Sequence, residues 1–151
     1  MKTLARVPDR DELLGRLRTV RPDSAARWGR MSAHQMICHL ADAFRMATGD
    51  KEVSPASGPL QRSLVKWIAL YLPLAWPAGI STRPETDQTI GGTRPLEFAS
   101  DVAQVERLLT SFSASPSITS RPHPIFGPMS HRAWLRWAYL HTDHHLRQFG
   151  H

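Results

Sequence analysis

The chain holds a single cysteine, Cys38, so no internal disulfide can form. That scarcity fits a reducing compartment. A long uninterrupted apolar run is missing as well. The most apolar stretch, 67–80, is too short to span a bilayer and contains Pro73 and Pro77. It reads as a core helix followed by a buried loop, with an interfacial anchor or a dimer surface as the alternative. The N-terminal residues turn charged before an apolar signal core could form, which points to a cytoplasmic protein without a membrane partner. Strand signals are scarce. There is no internal repeat, low-complexity tract, zinc finger, RNA-binding aromatic motif or basic zipper.

What is present suits a single domain over 1–151. Hydrophobic residues make up 41% of the chain, and five tryptophans supply large pieces for a core. The net charge of +6 favours anionic partners in general. Yet the arginines of the first thirty residues are interrupted by Asp9, Asp11, Glu12 and Asp23. A solvated helix face accounts for that mixture, and no nucleic-acid partner is expected.

The period and capping signals predict an all-α chain. Asp9 or Asp11 starts a first helix running to about Thr19, with Leu13, Leu14 and Leu17 inward. Ser32 caps a second helix that Gly49 stops, and 60–72 reads as a third. Residues 73–98 form a loop. Ser100 and Asp101 open a fourth helix reaching about Phe112, and 113–129, with four prolines, is again a loop. Ser130 caps a last helix ending at Gly150.

The histidines are the chemically informative residues. In the last helix Trp134, Trp137, Ala138, His141 and His145 fall on one stripe at 100° per residue. In the second, Met36, His39, Leu40, Ala43 and Ala47 do the same. A pair at i, i+4 lies on one helix face with Cβ atoms ~5–6 Å apart, so that two imidazoles can grip one divalent ion. Each histidine alone could be a hydrogen-bonded core residue. All three together favour a divalent metal site, because burying three unpaired imidazoles would cost ~1–3 kcal/mol each. Four further residues are candidates for substrate contact or for supporting a ligand. They are Asp42, as acceptor from a ligating imidazole or as a surface carboxylate, His144, off the stripe and otherwise exposed to solvent, Gln148, reaching the site or capping the helix end, and His123 at the site mouth or packed in its loop. Cys38 falls away from the stripe, as a small core residue rather than a nucleophile. Trp67, Tyr71 and Trp76 belong either to the core or to an apolar substrate wall.

Three segments, WGRMSAHQMICHL (28–40), HPIFGPMS (123–130) and HTDHHLRQF (141–149), carry a resemblance that spans nearly the whole chain. The chain resembles the DinB/YfiT-like superfamily of metalloenzymes, within a bacterial group lacking an assigned function. The last segment is similar to that superfamily's H-x-x-H-H-R-x-Q helix, with the arginine one place later, at Arg147. The resemblance implies a DinB/YfiT-like four-helix bundle with long crossover loops. It implies a zinc or nickel ion held by His39, His141 and His145, and often a homodimer. Relatives that use a low-molecular-weight thiol imply a thiol S-transferase. The leading expectation is a metal-dependent transferase or hydrolase acting on a small-molecule substrate, and the alternative is a non-enzymatic metal-binding or stress-response protein.

Overall fold

The computed structural model describes residues 1–56, 58–115, 118 and 121–151. The expected 113–129 loop therefore lies in part, at 116, 117, 119 and 120, outside the described residues. Five α-helices form among the described residues: α1 (Val7–Leu17), α2 (Ala33–Thr48), α3 (Lys66–Tyr71), α4 (Phe98–Ser111) and α5 (His131–Gln148). Among the described residues there is no strand, only one bridge between His123 and Gly127. No helix among the described residues is long and apolar enough to cross a membrane.

The starts of α2 and α5 follow from side chains that reach their own backbone. Ser32 accepts from the Gln35 amide while the Gln35 side chain accepts from Ser32 N, a complete capping box. Ser130 accepts from the Ala133 amide at 3.2 Å. Gly49, at φ +88°, ends α2 in the left-handed region. Two expected starts are corrected. Helix α1 begins two residues before Asp9, with Pro8 in its first turn, and Asp9 instead accepts from Thr3 N. Helix α4 begins at Phe98 because Glu97 accepts from the amides of Ala99 and Ser100, ahead of the expected Ser100.

Helices α2 and α5 form the centre. Every residue from Met36 to Phe44 and from Ala133 to Tyr139 is buried. Helix α4 packs on α2, and α1 packs on both α4 and α5. Leu13 and Leu17 are buried in that contact, while Leu14 is half-buried. An ion pair of Arg16 with Asp143 at 2.7 Å fastens α1 to α5.

The expectation of a core helix over 60–72 is corrected. A π-helical turn (Gln61–Val65) runs into α3, and only Leu70 of this segment is buried. Leu60 is 58% and Trp67 54% exposed. The following 73–80 segment is no buried loop either, since Leu74 is 60% exposed. The segment is anchored by Arg136, whose Nε donates to Leu70 O at 3.0 Å, and by Trp76 Nε1, which donates to Ala69 O at 2.8 Å. On its inner side Ile68 and Ala69 line a cavity, and Ala69 also packs against the core.

The long 73–97 segment is held by Asp42. This carboxylate is fully buried and accepts from Thr93 N at 2.7 Å, Thr93 Oγ1 at 2.6 Å and Gln88 Nε2 at 3.2 Å. Neither the surface carboxylate nor the imidazole acceptor expected from sequence is found. Asp42 instead presses the loop onto α2, where the 3-10 turn Pro84–Thr86 meets His39.

Candidate metal centre

His39 from α2 meets His141 and His145 from α5. Ring centroids lie 5.1 Å apart for His39–His141, 4.7 Å for His39–His145 and 4.7 Å for His141–His145. One nitrogen from each ring falls within 4.8 Å of the other two, a grouping that could hold a metal ion.

The neighbours decide which nitrogen each ring offers. His39 Nδ1 lies 2.9 Å from Thr86 O. A carbonyl only accepts, so Nδ1 carries the proton and Nε2 is left with a lone pair. For His145 the logic runs through two residues. Gln148 Nε2 donates to Trp28 O at 2.8 Å, which fixes the orientation of the amide. Gln148 Oε1 therefore faces His145 Nδ1, at 2.8 Å, and accepts its proton. Nε2 of His145 is again free. Gly29 makes this approach possible. A Cβ there would sit 2.7 Å from Gln148 Nε2, and its φ of +83° suits glycine.

His141 Nε2 is 3.3 Å from His39 Nε2. Two nitrogens bonded to one zinc at ~2.0–2.1 Å with tetrahedral angles are ~3.3 Å apart. The separation of these two nitrogens is therefore the one that two ligands of a shared ion would have. The His141 ring stacks on Trp137, with centroids 4.9 Å apart and 15° between the planes.

Electrostatics agree with neutral rings. Burial is the main cause that lowers the pKa of His39, His141 and His145 below the ordinary histidine value, and repulsion from neighbouring imidazoles adds to it, from His145 and His39 at His141 and from His39 at His145. A ligating imidazole must be neutral, so this environment favours a cation over a proton.

The three rings form one wall of a cavity of about 560 Å³. Its other walls are chiefly apolar, with Ile68, Leu74, Trp76, Ile80 and Phe126 among them, and Arg83 contributes the one formal charge of the lining. His144 is buried against His145 and borders this cavity, with its Nδ1 unpartnered. His123 is also buried and lines the cavity. Of the aromatic residues considered for a substrate wall, Trp76 lines the cavity. Trp67 and Tyr71 do not.

Of the candidates read from sequence, His39, His141, His145, Gln148, His144 and His123 come together. Asp42 does not touch the rings. Arg147 pairs with Asp143 at 2.9 Å, one turn earlier on α5. Sequence reasoning passed over Thr86, Trp28 and Arg83. The first two act through backbone carbonyls, which every residue has, so no residue-type signal marks them.

A second grouping, His34, Cys38 and Asp101, links α2 to the first turn of α4. His34 Nε2 is 2.7 Å from Asp101 Oδ2, and Cys38 Sγ donates to the same oxygen at 3.7 Å. Burial, with the nearby carboxylate, pushes the Cys38 thiol up to about 12. Cys38 is thus a buried cross-link between helices and no nucleophile.

Replacing Gln148 with Leu should remove the acceptor that fixes the His145 tautomer and weaken zinc affinity by ~10- to 100-fold. Competition against a chromophoric chelator measures this. An unchanged affinity would show that the amide does not orient the ring.

The sequence profile of a family described as "Protein of unknown function (DUF1569)" matches residues 4–151. No curated protein and no solved structure matches the chain.

Proposed function

The chain belongs to the DUF1569 family, and from that premise we propose that it is a divalent-metal-dependent enzyme acting on a small molecule. The observation that carries the proposal is the convergence of His39, His141 and His145 on the wall of a largely apolar cavity. Buried structural histidines need partners for both ring nitrogens. These rings have an outer partner at His39 and His145 and turn their inner nitrogens towards one point. A zinc or nickel ion held there by three neutral ligands would keep its full charge and leave positions open, lowering the pKa of a bound water or holding a thiol as thiolate.

The chain's own residues restrict the chemistry. Cys38 is turned to Asp101, so a thiol nucleophile would come from a low-molecular-weight cosubstrate. The apolar walls exclude water and suit a small organic substrate. Thiol S-transfer and hydrolysis both fit. The packing of α1, α2, α4 and α5 around one core supports a DinB/YfiT-like four-helix bundle, with 73–97 as a long crossover. A cytoplasmic homodimer without nucleic-acid or membrane partners remains part of this reading.

Tag-free protein should purify with one equivalent of zinc or nickel by elemental analysis. Metal-loaded protein should turn over in a screen of thiols with electrophiles, and of esters and amides. His145→Ala should abolish the activity while leaving the helical circular dichroism in place. Metal well below one equivalent after reconstitution would overturn the metal centre. Equal turnover in the variant would overturn the enzyme reading.

A further inference from the structure

His123 lies in a closed turn in which its amide and carbonyl both pair with Gly127, at 2.9 and 2.8 Å. Inside this turn His123 Nδ1 accepts the amides of Ile125 and Phe126, each at 3.1 Å. Backbone N–H groups only donate, so Nδ1 bears no proton. An imidazolium would carry protons on both nitrogens. The ring is therefore neutral, with its proton on Nε2. Burial works in the same direction, lowering the His123 pKa to about 3.

Among the described residues that N–H has no acceptor oxygen or nitrogen. The ring is stacked on Phe126 at 4.8 Å and bordered by Trp134 at 5.3 Å and Trp137 at 5.1 Å. No described residue accepts from Nε2, and His123 forms part of the cavity lining. Trp137 also stacks on His141, so the donor is one indole width from the three-histidine wall. A group bound to His123 would bring neighbouring atoms of the same molecule towards that wall. The donor is uncharged, which favours a neutral oxygen over a carboxylate.

We propose that His123 is a substrate-positioning residue whose Nε2–H donates to an uncharged oxygen, as in a ketone, ester or ether, of an otherwise apolar or aromatic substrate. This rests on the cavity being the substrate pocket of the function proposed above.

The test uses the full chain with 15N-labelled histidine, zinc-loaded and after chelator treatment. Long-range 15N–1H spectra should give His123 the neutral Nε2–H tautomer in both. Acetophenone should bind about 3- to 10-fold more tightly than the isosteric hydrocarbon α-methylstyrene, as expected for one hydrogen bond, and should shift the His123 Nε2–H proton downfield. In His123→Phe that preference should vanish while the hydrocarbon still binds. An Nδ1–H tautomer, binding of neither probe, equal affinity for the two probes, or an Nε2–H proton that ignores the ketone would each overturn the inference. The last would assign the N–H to the face of Trp137. Should the variant fail to fold, the tautomer and the two-probe comparison on the unaltered chain still decide. Zinc that fails to bind would sink the metal centre and leave the His123 tautomer standing.

Discussion

Below pH 6.5 the metal-free protein should lose stability steeply. His39, His141, His145 and His123 are enclosed and have pKa values lowered chiefly by burial. In the unfolded chain each returns to the ordinary value of 6.5. As pH falls through 6.5 the unfolded state takes up protons that the folded state refuses, so folding is progressively disfavoured. The stabilising effect of these sites is complete above 6.5 and is lost downwards from there. Each refused proton changes stability by ~1.4 kcal/mol per pH unit, so four approach ~5 kcal/mol per pH unit. Against a total stability of ~5–15 kcal/mol, this unfolds the protein within about one to three pH units. Urea titrations followed by circular dichroism from pH 7.5 to 4.5 would measure the slope. A flat profile across that range would mean that the rings are protonated or open to solvent in the fold. Saturating zinc should move the transition to lower pH, because a ligand that binds only the folded state adds RT ln(1 + [L]/Kd).

Replacing His141 with Ala should lower zinc affinity by ~100- to 1,000-fold. Structural zinc sites bind with ~10–16 kcal/mol shared among four ligands, so one ligand carries ~2.5–4 kcal/mol. Each 1.4 kcal/mol is a factor of ten. The same substitution should also flatten the acid transition of the metal-free protein, because one buried ring that must stay neutral is gone. The two effects oppose each other in sign, and a merely structural histidine would not produce both. Competition titration with a chelator gives the first and the pH series the second. Retained affinity would remove His141 from the site. The ion would then have only His39 and His145, and a two-histidine site of that kind binds weakly.

The helices whose ends are closed by nearby side chains were legible in the chain. Ser32 with Gln35 and Ser130 with the Ala133 amide are contacts of three residues' span, and α2 and α5 start where those residues indicate. The starts of α1 and α4, at Val7 and Phe98, differ from those the aspartate and serine signals predict. A proline in the first turn and a glutamate cap act at such ends as well as the aspartate and serine that were favoured. The 60–72 segment was misplaced for another reason. Apolar periodicity reports that a face wants cover, and here α3 meets α5 through Leu70 while Trp67 and Leu64 stay exposed.

Helical period alone put His39, His141 and His145 on the inner faces of two helices, because angular position on a helix depends only on residue number. Which nitrogen each ring offers was decided by tertiary contact. The acceptor for His39 comes from Thr86, 47 residues on, and the amide that orients His145 is itself oriented by the carbonyl of Trp28, 120 residues before it. Asp42 shows the same division. Its place one turn from His39 was visible in the chain, but its role was set by Thr93 and Gln88. A tautomer is chosen by the nearest donor or acceptor, and here those arrive from loops whose path no local pattern describes.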